Sequence, residues 1–114
     1  MLVPDHLLEE GRLLFNSGQY FEAHEVWEDL WRVQKDPYRK TCCQGLIQAA
    51  VGLHHLHRGN AVGARGQFRK SVRNLGTGAA QIPELDIAGL IGQLTSLLGS
   101  PLELPKRPVI ARLK

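Results

Sequence analysis

The stretch from residue 37 to residue 57 constrains the fold more than any other. Asp36 can cap a helix there with Pro37 at its first position, and nothing breaks the pattern before Arg58-Gly59-Asn60. At ~100° per residue, Leu46, Ile47, Ala49, Ala50, Val51, Leu53 and Leu56 occupy several faces of this helix. A helix that is apolar on several sides needs neighbours around it, so it belongs at the centre of a bundle. One line along it is polar: Gln44, Gln48 and His55 fall with Val51 at i, i+4, i+11 and i+7. Buried amides and imidazoles cost on the order of 1–3 kcal/mol each when unpartnered, so a facing helix is expected to supply partners, the obvious ones being His24 and Glu28.

The remaining segments read as those neighbours. After Pro4, Leu7, Leu8, Leu14 and Phe15 form a helical stripe, with Gly11 allowing close approach, and Asn16-Ser17-Gly18 ends it. So short a connection folds the second helix, about 19–33, back antiparallel. Ala23, Val26, Trp27, Leu30 and Trp31 make its apolar face, Glu22, Glu25 and Asp29 point to water, and His24, Glu28 and Trp31 share a line at the edge. Asn60 can cap a fourth helix, about 61–75, with Ala61, Ala64, Phe68, Val72 and Leu75 inward and Gly76-Thr77-Gly78 as its stop. Glu84 and Asp86 suit the start of a fifth, which carries Leu85, Leu90, Ile91, Leu94, Leu97 and Leu98 and ends at Gly99-Ser100-Pro101.

The expected fold is all-α, a compact bundle of about five helices built from antiparallel hairpins. One helical domain spans 1–100, and 101–114 is an extended, mobile tail with Pro105, Pro108 and the bases Lys106, Arg107, Arg112 and Lys114. A weak repeat at an offset of 41 pairs Phe15, Gly18, Ala23, Trp27 and Trp31 with Leu56, Gly59, Ala64, Phe68 and Val72. Two copies suit paired hairpins, not a solenoid.

A chain of 114 residues fits one domain. No stretch approaches the ~20 apolar residues of a membrane span, and the first residues lack the features of a signal peptide, so a cytoplasmic protein without a membrane role is expected. Cys42 and Cys43 are adjacent, which suits reduced core thiols better than a disulfide or a zinc pair. The net charge of +3 is uneven: residues 1–30 hold seven acids and one base, and the remainder holds 13 bases and four acids. The two halves can therefore pair with each other, or the basic half can attract a polyanion.

Three readings of the central polar cluster stay open. The sharpest is a divalent metal held by His24, Glu28 and His55, with Gln44 or Gln48 beside it, which would allow a hydrolase-like, metal-dependent enzyme. Its spacing departs from the His-Glu-x-x-His helix, and no Glu-x-x-His pair is present. The second is a self-satisfied polar network that sets helix register. The third is a pocket for a small polar ligand lined by Trp27 or Trp31, with His24, Glu28 and Gln48 as its polar contacts. No serine or thiol with an activating base and no phosphate-binding glycine loop is evident, which leans against an enzyme. On helix four, Arg65, Arg69, Lys70 and Arg73 form a basic ridge that could contact RNA phosphates. No aromatic residue interleaves it, so a solvated face paired with the acidic second helix is the preferred account. Exposed apolar helix edges would permit a homo-oligomer.

Phe15-Asn16, Gly18, Tyr20 through Glu25, Glu28 and Trp31, then Gln44 through Gln48, His55, Gly59-Asn60 and Gly63-Ala64 form a pattern that resembles the bacterial and archaeal domain of unknown function 309 family. His24, Glu28 and Trp31 match its His-x-x-x-Glu-x-x-Trp signature. The resemblance covers about residues 8–75 and implies a small all-helical fold, with no catalytic role to carry over. His54 stands where a tyrosine or another bulky residue is expected, and Gly66 and Gln67 are unusual within helix four.

Overall fold

The computed structural model describes residues 5–99 and 107–113. Pro4 at the expected start of the first helix, and Ser100, Pro101, Pro105, Lys106 and Lys114, lie outside the described residues. Five α-helices follow in order: α1 (Asp5–Asn16), α2 (Tyr20–Arg32), α3 (Pro37–His57), α4 (Ala61–Gly78) and α5 (Ile87–Leu98). Among the described residues there is no strand, and a single antiparallel bridge joins Leu85 to Arg112. The all-α bundle expected from the helical periodicities is the architecture found.

The helices pack in chain order. α1 lies on α2, α2 and α4 both lie on α3, and α5 lies on α4. α3 is thus the central element, with Cys42, Cys43, Leu46, Ala49, Ala50 and Leu53 fully buried. Capping matches the sequence at three starts: the side chains of Asp36, Asn60 and Asp86 accept from the backbone N–H of Arg39, Gly63 and Gly89. Gly18 (φ 83°) and Gly59 (φ 79°) take the left-handed conformation at the two tight hairpin turns.

α4 does not stop at Gly76. It continues to Gly78, followed by a 3₁₀ turn at Ala79–Gln81. Gly78 is buried where a β-carbon would collide with the carbonyl oxygen of Tyr38 and crowd Cys42. That glycine is the last residue of α4 and also allows its close packing on α3. Gly45 and Gly52 of α3 do the same towards α4, where an added β-carbon would come within 2.8 Å of Leu75 and 2.6 Å of Phe68.

Residues 107–113 also depart from expectation. They are extended, and hydrogen bonds seat them against the helices. The Ile110 carbonyl accepts from Arg12 Nη1 and Asn16 Nδ2, both at 3.0 Å, and its N–H donates to Asn16 Oδ1 at 2.8 Å. Asp86 N donates to Ala111 O, and Leu113 N donates to Glu84 O, each at 2.9 Å. Ile110 is completely buried, so the segment adds an anchor to the core.

Candidate functional site

The polar line of α3 is only partly covered. Gln44, Gln48, Val51 and His55 are all half-buried, whereas Gly45, Leu46, Ala49, Ala50, Gly52, Leu53 and Leu56 around them are buried. The physical cause is placement. α2 meets α3 through Trp31–Lys40, Phe21–His54 and Tyr20–His57. α4 meets it through Phe68 at Gly52 and Leu75 at Gly45. The strip lies between these two contact lines and floors a groove whose walls are α2 and α4.

One end of the groove is an open cleft of about 370 Å³ lined by Trp31, Pro37, Lys40, Thr41, Gln44 and Asn74. The Lys40 ammonium stands 4.3 Å from the centroid of the Trp31 ring, a cation–π contact that fixes the half-buried indole. Beyond the cleft, Asn74 Nδ2 donates to Gln48 Oε1 at 2.8 Å. The facing helix that satisfies Gln48 is therefore α4, and not α2 with His24 and Glu28 as the sequence suggested.

His24 and Glu28 do come together, one turn apart on α2, with Nε2 and Oε2 3.4 Å apart and the carboxylate side chain 41% exposed. The other ring nitrogen, His24 Nδ1, is buried and has no hydrogen-bond partner among the described residues. Phe21 lies between His24 (centroids 5.7 Å) and His54 (5.6 Å), so the α3 side chain reaching this cluster is His54. Among the described residues no three His, Cys, Asp or Glu side chains converge to hold a metal. The three-ligand arrangement of His24, Glu28 and His55 is thus not formed: the first two share a helix, and the α3 imidazole reaching them through Phe21 is the neighbour of His55.

The remaining candidates separate in the same way. Trp31 and Gln44 meet in the cleft, while Trp27 is fully buried against α1 and cannot line a pocket. On α4, Arg65 donates to the Leu98 carbonyl at the end of α5, leaving Arg69, Lys70 and Arg73 exposed. α2 and α4 flank different sides of α3, and among the described residues no ion pair joins Arg69, Lys70 or Arg73 to α2. Asp29 of α2 pairs instead with Arg32 of the same helix at 2.6 Å.

Sequence reasoning missed Lys40, Thr41 and Asn74. Pro37, Thr41, Gln44 and Gln48 continue one i, i+4, i+7, i+11 line, so Thr41 was within reach of the periodicity argument. Asn74 was not, because its role depends on how α4 is rotated against α3. The thiols of Cys42 and Cys43 are pushed up, to about 12 and about 11, chiefly by burial, which makes them core residues and not nucleophiles.

The family model described as Domain of unknown function (DUF309) matches residues 8–67, which is α1 through the first part of α4. An "Uncharacterized protein" of Aquifex aeolicus (strain VF5) is 27% identical over 94 residues, covering 82% of this chain and 28% of that protein. The "Uncharacterized protein YpuF" of Bacillus subtilis (strain 168) is 34% identical over 87 residues, covering 76% of this chain and 49% of that protein. The chain spans half the length or less of these curated relatives.

Proposed function

The chain belongs to the family described as Domain of unknown function (DUF309), and from that premise we propose that it is a binding module whose site is the groove between α2 and α4. The observation that carries this reading is the Trp31 cleft. It combines a flat, half-buried indole with a fixed cation, Lys40, and two amides, Gln44 and Asn74, in about 370 Å³ of open space. An apolar surface with a few convergent polar groups is the usual make-up of a small-ligand or peptide site. The matching ligand offers a carboxylate or carbonyl to Lys40 and amide-pairing groups to Gln44 and Asn74. His24 and Glu28 share the Trp31 edge of α2 by helical spacing and extend the site along the groove.

The reading carries a reducing, cytoplasmic setting, supported by the free thiols of Cys42 and Cys43. No described helix is long and apolar enough to cross a membrane. Ligand-observed NMR with a library of polar fragments tests the site. Fragments that bind the wild type and are lost in both Trp31→Ala and Gln44→Ala, with the helical circular dichroism intact, support it. Fragments that bind all three proteins equally would remove the groove as the site.

A further inference from the structure

The opposite end of α2 carries a separate group of unsatisfied donors. We propose that this end is a binding site for a phosphate group, held by the Arg107 guanidinium, the Tyr20 hydroxyl and the backbone N–H groups of the first turn.

Four observations converge on it. First, α2 begins without a capping side chain, since Gln19 makes no cap hydrogen bond and donates instead to Ser17 Oγ. Among the described residues no side chain caps the leading N–H groups, which stand at the positive end of the helix dipole. Second, Tyr20 is 3% exposed, yet its buried hydroxyl has no hydrogen-bond partner among the described residues. It is the first residue of α2, and helical side chains lean towards the N-terminus, the side from which the charge of Arg107 acts on it. Its ring is held edge-on between Phe15 (5.4 Å) and His57 (5.1 Å). A buried orphan hydroxyl calls for an acceptor, and a bound ion is one of the ordinary explanations.

Third, the Arg107 guanidinium lies against Gly18, directly before the helix, where an added β-carbon would come within 2.8 Å of Nη1. Pro108 and Ile110, both buried, anchor the backbone that delivers it. Arg107 makes no hydrogen bond or ion pair among the described residues. The nearby carbonyls of α1 are already used: Leu13, Leu14 and Phe15 accept from Ser17, Gly18 and Gln19. A cation beside the positive end of a helix is repelled unless an anion sits between them. Fourth, the charge of Arg107 reaches both neighbours. Burial holds His57 below its ordinary value and Arg107 lowers it further, while Tyr20 is raised by burial against the pull of Arg107.

A guanidinium fork, a hydroxyl and a row of amides approach from different directions, which suits a tetrahedral phosphate better than a flat carboxylate. This site stands apart from the groove, whose Trp31 cleft is at the other end of α2.

Titration of ¹⁵N-labelled protein with inorganic phosphate, against acetate at matched ionic strength, tests the proposal. Saturable shifts of the Tyr20, Phe21 and Glu22 amides with phosphate, and weaker ones with acetate, are expected. Arg107→Ala should weaken binding roughly tenfold or more, the loss of a charge-assisted hydrogen bond. Tyr20→Phe, which keeps the buried ring, should weaken it about threefold or more while raising thermal stability of the free protein. Arg73→Ala, on the exposed ridge, should leave binding unchanged. No shift at these amides, equal shifts with acetate, or undiminished binding in Arg107→Ala and Tyr20→Phe would each overturn the proposal.

Discussion

The indole of Trp27 lies directly over Gly11, and its Nε1 donates to the Leu8 carbonyl at 3.3 Å. α1 and α2 approach so closely there that a β-carbon on Gly11 would collide with the indole nitrogen itself. A mid-helix glycine thus costs about 1 kcal/mol of helix propensity and makes room for the largest side chain in the core. Gly11→Ala should lower stability despite the better helix former, because overpacking a filled core costs ~1–3 kcal/mol or more. Urea unfolding checks this, and an unchanged or higher midpoint would show that Trp27 can move aside.

The polar floor of the groove gives a second expectation. The Gln48–Asn74 bond is part-buried and joins α3 to α4. In a double-mutant cycle with Gln48→Ala and Asn74→Ala, a coupling of about 0.5–1.5 kcal/mol is expected. Zero coupling would mean that water replaces the bond without loss.

The same pair shows how far the sequence reaches. The i, i+4, i+7 spacing along α3 singled out the polar strip, and α3 was legible as the central helix because it is apolar on several sides. Which helix faces the strip was not legible. Spacing gives the direction of a side chain on its own helix, whereas the partner depends on how α2 and α4 are rotated around α3. For that reason spacing alone points Gln48 to His24 and Glu28, whereas Asn74 satisfies it, and groups His55 with residues it does not join. The glycines misled in a related way. Gly76 and Gly78 look like a helix stop, and the helix runs through Gly76 to end at Gly78, where the closeness of Tyr38 and Cys42 also requires a glycine.

The His24–Glu28 pair is expected to contribute little to stability. With the carboxylate 41% exposed, the attraction is screened, and Glu28→Gln should cost less than about 1 kcal/mol. With no third ligand converging on the pair, elemental mass spectrometry of tag-free protein should also find the same metal content in wild type, His24→Ala and Glu28→Gln. About one equivalent of a transition metal in the wild type, lost in the variants, would instead make the pair a ligand set.

The buried thiols set an alkaline limit. Burial, the largest cause, raises Cys42 to about 12 and Cys43 to about 11 from an ordinary value of 9.0. A raised folded-state value means that the native state holds the protons more tightly than the unfolded chain. Their contribution is therefore complete below pH 9.0 and is lost as pH rises through about 11 to 12. Stability should fall across that window, and Cys42→Ala should flatten the slope. A pH-independent midpoint, or rapid reaction of the native thiols with a disulfide reagent at pH 8, would contradict the buried placement.

Ile110 offers the most direct test of the seated tail. Its side chain is fully buried, and its backbone is held on both sides, by Arg12 and Asn16 at the carbonyl and by Asn16 again at the N–H. Neighbouring Val109 is tied to the side-chain amide of Gln93, which both accepts from its N–H and donates to its carbonyl at 2.8 Å. Ile110→Ala removes the anchor and leaves a cavity, at a cost of about 2–5 kcal/mol if the segment belongs to the cooperative core. Asn16→Ala strips two hydrogen bonds from the same residue and should cost about 1–3 kcal/mol. Hydrogen exchange separates the outcomes. If the segment is integral, the amides of Ile110 and Leu113 exchange as slowly as those of α1 in the wild type and faster in both variants. If it is only laid on the surface, they exchange quickly in all three proteins, and the unfolding midpoint of Ile110→Ala stays where it was.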